Sequence, residues 1–306
     1  MNISHAKHTG SEMTGGGSGR YVGLDILKVL AIVFIPSVHF CSYFFQNEDN
    51  NMMFVIMHAF RWLFFSGTGL FMTISGYLNG NKRLSGKHIL SIVKLYLIYL
   101  VYCILDAFIL HDNTSIETVK YYALSYPAYY WYVSFWILMM FFLPFINKAV
   151  ENCTLKEYLF LVGSLFVFIS LPCVFSQLEF NYNLPDIGVN YNFPILYYVI
   201  GAGFRKFSFR INKYVSLASL IIIILLQGSL DFLYCKRYNA IGSHLYICNN
   251  YSNPFTVIVI VLIFLLLYDI KDIRGGYTCL HIKDVISNVF RADYCRLCSS
   301  TFKELC

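Results

Sequence analysis

The chain has 306 residues, 58% of them hydrophobic and only 13% charged, where a soluble domain carries roughly 25% charged residues. That deficit and the long apolar runs exclude an ordinary soluble enzyme and predict a chain that crosses a membrane several times. The formal net charge of +6 is scattered in short clusters between apolar runs, so it points to topology and not to nucleic acid.

The opening "MNISHAKHTGSEMTGGGSGR" is polar and Gly-rich, and residues 1–20 read as a disordered cytoplasmic tail with no secretory leader. Eight segments near the ~20 residues needed to span a bilayer follow, at about 21–45, 52–78, 88–111, 128–147, 157–178, 191–205, 213–234 and 252–270. They predict an all-α, polytopic transmembrane helix bundle of about eight spans over 21–270. The sixth is short and interrupted by Pro194, Gly201 and Gly203, so it is expected to be tilted or re-entrant. Residues 271–306 hold no comparable apolar run.

Basic residues set an orientation. With the N-terminus in the cytoplasm, the even connections carry Lys82, Arg83 and Lys87, then Lys148 and Lys156, then Arg205, Lys206, Arg210 and Lys213. The odd connections hold Glu48, Asp49, Asp112, Glu117, Glu179 and Asp186, with few cations. The positive-inside rule therefore places both termini in the cytoplasm of a multi-pass plasma-membrane protein. Cys235 and Cys248 share the last external connection, as a possible pair or as free thiols. Cys295 and Cys298 form a lone CxxC without a second ligand pair, so no metal site is expected.

The first span, "GLDILKVLAIVFIPSVHF", carries Asp25, Lys28 and His39. Lys28 and His39 are eleven residues apart, which at 100° per residue is three turns and about 20°; they share one face, separated by roughly 16 Å along the axis. Asp25, three residues before Lys28, is placed to neutralise it. Pro36 removes a backbone donor and frees the Ile32 carbonyl just below His39. Snorkelling anchors and a satisfied bundle histidine are the structural alternatives. Ionisable groups within a span are costly, however, and usually mark a site or pathway.

Four stretches resemble the membrane-bound acyltransferase 3 family, covering about residues 21–270. The first is the Lys28-x10-His39 pattern. The second is "RWLFFSGTGLFMTISGYLNGNKRLS", with Arg61, Phe71, Ser75, Gly76, Tyr77, Leu78 and Lys82. The others are "YYWYVSFWILMMFFLP", through Trp131, Tyr132 and Pro144, and the Tyr- and Gly-containing "PILYYVIGAGFRK". The resemblance implies an O-acyltransferase that moves an acyl group, acetyl foremost, from cytoplasmic acyl-CoA to a hydroxyl of an exopolysaccharide or lipid-linked envelope glycan. No bound cofactor is implied; acetyl-CoA is the donor substrate, and membrane lipids surround the protein.

By that resemblance His39 is the catalytic residue, as general base or acyl-carrying nucleophile, and Lys28 meets the phosphates or carbonyl of the donor. Arg61 orients an anionic group or else pairs with a carboxylate such as Asp106. Asp25 acts with Lys28 in donor binding or electrostatics, Trp131 supports the site, and Ser75, next to Gly76, either hydrogen-bonds to the ligand or, the preferred reading, serves helix packing. The family typically has about ten spans, so 271–306 is expected to be an atypical, truncated or frameshifted tail, which would open the cavity and put activity in question. A glycan exporter on the same scaffold and an inactive family member are the alternative readings.

Overall fold

The computed structural model describes residues 21–44, 51–110, 117, 120, 131–177, 193–237 and 251–270. Its contacts divide the chain after Lys271, and the second unit, Asp272–Cys306, lies outside the described residues, as do residues 1–20. The readings of both tails, and the pairings of Cys248, Cys295 and Cys298, therefore fall outside the described residues.

Nine helices and no strand are found among the described residues: α1 (Val22–Phe44), α2 (Asn51–Phe65), α3 (Gly67–Asn79), α4 (Gly86–Leu110), α5 (Trp131–Asn152), α6 (Leu155–Gln177), α7 (Phe193–Phe207), α8 (Lys213–Arg237) and α9 (Pro254–Leu267). A helix lies at each of the eight predicted spans. By length and composition, five stretches are able to cross a membrane: Val22–Cys41, Met52–Asn79, Gly86–Leu105, Leu155–Pro172 and Lys213–Arg237. The second of these joins α2 to α3 across Ser66. There the hydroxyl and amide of Ser66 both donate to the Leu63 carbonyl, at 2.6 and 3.2 Å, and the helix pauses for one residue.

The segment predicted to be the weakest span is the centre of the bundle. All but Ile195 and the last three residues of α7 are buried, from Phe193 to Phe204, and α7 packs on α3, α5 and α6. Its glycines are contact points. A Cβ on Gly201 would fall 1.9 Å from the Thr73 carbonyl oxygen, and one on Gly76 of α3 would fall 2.0 Å from that of Tyr198. Small residues at a crossing let two helices touch backbone to backbone, which is how bundles pack where hydrophobic burial gives little drive. A helix enclosed by protein has no need of an apolar surface on every side, and this is why its hydropathy understates its burial.

A second close crossing joins α2 to α8, where a Cβ on Gly228 would lie 2.5 Å from the Val55 carbonyl oxygen. The apolar α9 packs on α8, α3 and α1; Asn253 caps it by accepting from the Phe255 amide, with Pro254 opening the first turn. By contrast α4 packs chiefly on α5, through Ile92, Tyr99, Cys103 and Ile137 and a His88 Nε2 to Met140 carbonyl contact of 2.8 Å. Its other faces carry exposed Ile89, Val93, Leu97 and Val101, as a lipid-facing helix should.

One end of the bundle is laced by polar contacts. Arg205 donates to the carbonyls of Tyr77 and Leu78 at the end of α3, and Lys206 to those of Val150, Glu151 and Cys153 at the end of α5. Asn147 donates to the carbonyls of Asn79 and Lys82, both at 2.8 Å, and accepts from the Tyr198 hydroxyl. Lys213 pairs with Asp269, and the Gly23 amide donates to the Ile270 carbonyl. The basic even connections thus share one end with the start of α1 and the close of α9, as the charge pattern predicts. The same cations also satisfy helix C-termini, whose last carbonyls lack intrahelical partners.

Candidate functional site

The phase of α1 separates three stripes. Leu24, Leu27, Ala31, Phe34, Val38 and Cys41 form the buried seam. Ile26, Val33 and Phe40, seven residues apart, form an exposed apolar ridge suited to lipid. Lys28 and His39 lie on neither. Both fall on a flank about 90–110° from the seam, on the side away from the ridge. His39 is exposed there and Lys28 partly so. Lys28 Nζ reaches Asp25 Oδ1 at 3.3 Å, so the predicted neutralisation is present. The first span therefore presents an imidazole and an ammonium group on one flank, with the half-buried Ile32 and Ile35 between them.

A second constellation lies between α2 and α8. Asp231 is wholly buried, and its Oδ2 lies 3.1 Å from His58 Nδ1 and accepts from the Trp62 indole N–H. His58 and Trp62 are four residues apart and so share the α2 face turned to α8, while the neighbouring Gly228 brings the helices close enough for these contacts. The His58 ring also stacks on Phe54, with centroids 3.8 Å apart. A carboxylate in such surroundings is kept by its donors, because removing it from water without them is costly.

Arg61 is buried one turn beyond His58, its guanidinium 5.3 Å from the Trp62 ring centre and 5.2 Å from that of Phe65. Its charge reaches Cys41 of α1 and Tyr251 ahead of α9. Burial pushes the Tyr251 phenol above its ordinary range, against the Thr68 hydrogen bond and the Arg61 charge, which both favour ionisation. The Tyr251 ring stacks on Phe65 and Phe193, and its carbonyl accepts from the Tyr197 hydroxyl at 2.6 Å. Ser75 is half-buried on α3, beside the Gly76 crossing. Trp131 opens α5; its side chain, like that of Asp106, lies outside the described residues. The described residues hold no group of three His, Cys, Asp or Glu able to take a metal ion.

The structure thus places Asp25 with Lys28 and aligns Lys28 with His39, while Arg61 joins a different neighbourhood built on α2. Sequence reasoning passed over His58 and Asp231. The signal was present, because "LLQGSLDFLYC" sets an acidic residue inside an apolar span, and such a residue calls for a partner on another helix.

These features define a multi-pass, all-helical membrane protein with ionisable groups within its apolar helices. The chain belongs to the acyltransferase 3 family: the family model, described as an acyltransferase domain, matches residues 21–268. It is an acyltransferase of the kind that moves groups other than aminoacyl groups, working in a membrane. No curated protein and no solved structure matches the chain.

Proposed function

We propose that the protein transfers an acetyl group from acetyl-CoA, presented at the cytoplasmic face of the plasma membrane, to a hydroxyl of an exopolysaccharide or lipid-linked envelope glycan. The observation that carries this reading is the line of Lys28 and His39 on one flank of α1, off both the packed seam and the apolar ridge. The basic end of the bundle is taken as cytoplasmic, with the N-terminus, because cations favour that side.

In this reading Lys28 meets the anionic donor at the inner mouth, while His39 lies roughly 16 Å away along the axis, near the acceptor. The His39 imidazole takes the proton from the acceptor hydroxyl, whose oxygen forms a bond to the thioester carbonyl carbon; the C–S bond then breaks and the departing thiolate receives the proton. The imidazole can instead carry the acyl group itself in two steps. Arg61, Asp25, Ser75 and Trp131 serve as support, Arg61 by setting the charge of the outer half.

The test is the acetyl content of envelope glycan in cells whose own copy is deleted and replaced. His39→Ala should abolish glycan O-acetylation, read by proton NMR, at unchanged protein level. Retained acetylation removes His39 from the mechanism, and loss of glycan export with acetylation intact would favour a transporter.

A further inference from the structure

We infer that Trp62, held by Asp231, is a positioning residue for His39, acting through Val38. This rests on the reading of His39 given above. Pro36 leaves α1 without the backbone hydrogen bond that would tie its last turns to Ile32, so the segment carrying His39 lacks one of the bonds that fix its direction. Its direction must be fixed by what it packs on.

What it packs on is specific. Val38, adjacent to His39, is buried in one cluster with Trp62 and Phe65, separate from the main core. Trp62 meets Phe65 edge to face with centroids 5.4 Å apart. The indole itself is held from behind: its N–H donates to Asp231 Oδ2, the atom that also lies 3.1 Å from His58 Nδ1. Trp62 and Asp231 are both essentially fully buried.

A greasy platform of leucines would bury Val38 equally well. An indole fixed by a buried carboxylate adds a defined ring orientation, because the hydrogen bond sets the direction in which its plane faces. The chain of contacts runs from α8 through α2 to the residue beside the imidazole. Pre-orienting a reacting group within a fraction of an ångström is what such a supporting shell contributes to rate. The prediction is a loss in turnover with no change in substrate affinity.

The experiment uses membranes containing the full chain, radiolabelled acetyl-CoA as donor and glycan extracted from the same cells as acceptor, with rates normalised to immunoblotted protein. Trp62→Phe and Val38→Ala should each lower kcat at least fivefold with KM for acetyl-CoA unchanged. Val38→Ile, which keeps the contact, should restore kcat to within twofold of the parent. Ile260→Val, a buried methyl removed from α9, should leave kcat within twofold, because it loosens the core without touching this chain of contacts. Should Trp62→Phe accumulate poorly, Val38→Ala alone decides, since it leaves the polar clamp whole. The inference is overturned if Val38→Ala keeps kcat within twofold, or if Ile260→Val matches its loss. His39→Ala, assayed in parallel, separates the two readings. If it abolishes transfer while Val38→Ala is silent, only the positioning role falls; if it retains transfer, the role of His39 falls first.

Discussion

Gly201 of α7 meets Thr73 of α3 backbone to backbone, so closely that a single added methyl group would sit 1.9 Å from the Thr73 carbonyl oxygen. Nothing can relax around it cheaply, because the obstacle is main chain. Gly201→Ala is expected to destabilise the protein by about 3 kcal/mol, the upper range for overpacking. Gly163→Ala on α6, whose added methyl meets nothing within 4 Å, should instead stabilise by about 0.5–1 kcal/mol through helix propensity. Thermal unfolding of the detergent-solubilised protein measures both, and equal melting temperatures would contradict the central place assigned to α7.

Asp231 supplies a sharper contrast, because His58 and Trp62, which both contact its Oδ2, sit on one helix. Asp231→Leu leaves the His58 ring and the Trp62 N–H facing an apolar side chain. Leaving buried polar groups unsatisfied in this way costs about 1–3 kcal/mol each. Asp231→Asn keeps an acceptor for one donor and should cost about half as much. The yield of folded protein in membranes, followed by unfolding in detergent, should rank the parent above Asn and Asn above Leu. A Leu variant as stable as the parent would mean that apolar packing alone joins α2 to α8.

Lys206 is counted by topology rules as a positive charge, yet its ammonium group donates to three carbonyls closing α5. Lys206→Met keeps the stem and removes those bonds, and is expected to lose about 1–2 kcal/mol at one helix end. Lys206→Arg should recover part of that loss. Protease accessibility of the α5–α6 turn is the direct measurement, with cutting expected to rise in Met and to fall back in Arg.

The fold was legible in the sequence where its cause is chain-local. The eight apolar segments cover the nine helices among the described residues, α2 and α3 sharing one segment, and five stretches are long and apolar enough to cross a membrane. The charge pattern likewise grouped the connections that meet at one end. Hydropathy marked α7 as the weakest span, and that weakness has a physical reason: α7 is enclosed by other helices, where Gly201 and Gly203 serve contact. The site divides the same way. Asp25, Lys28 and His39 lie on one helix, so a 100° rotation per residue suffices to align them. The contact of His58 and Trp62 with Asp231 joins positions about 170 residues apart, and no local rule pairs them.

The ion pair of Asp25 with Lys28 tests the donor end of the proposed reaction. A cation that serves only to hold α1 in the membrane interface would be used up by its carboxylate neighbour, 3.3 Å away, and losing either partner would have the same small effect. A cation that meets the phosphates of acetyl-CoA behaves differently, since Asp25 then competes with the donor for it. Lys28→Met should raise the KM for acetyl-CoA about tenfold, equivalent to about 1.4 kcal/mol of lost binding, with protein level unchanged. Asp25→Asn removes the competitor and should leave that KM equal or lower. Lys28→Arg keeps the charge and should stay within threefold of the parent. Initial rates in membranes over a range of acetyl-CoA concentrations decide the matter. If the Met and Asn variants give the same KM, the pair is an anchor and the donor is held elsewhere.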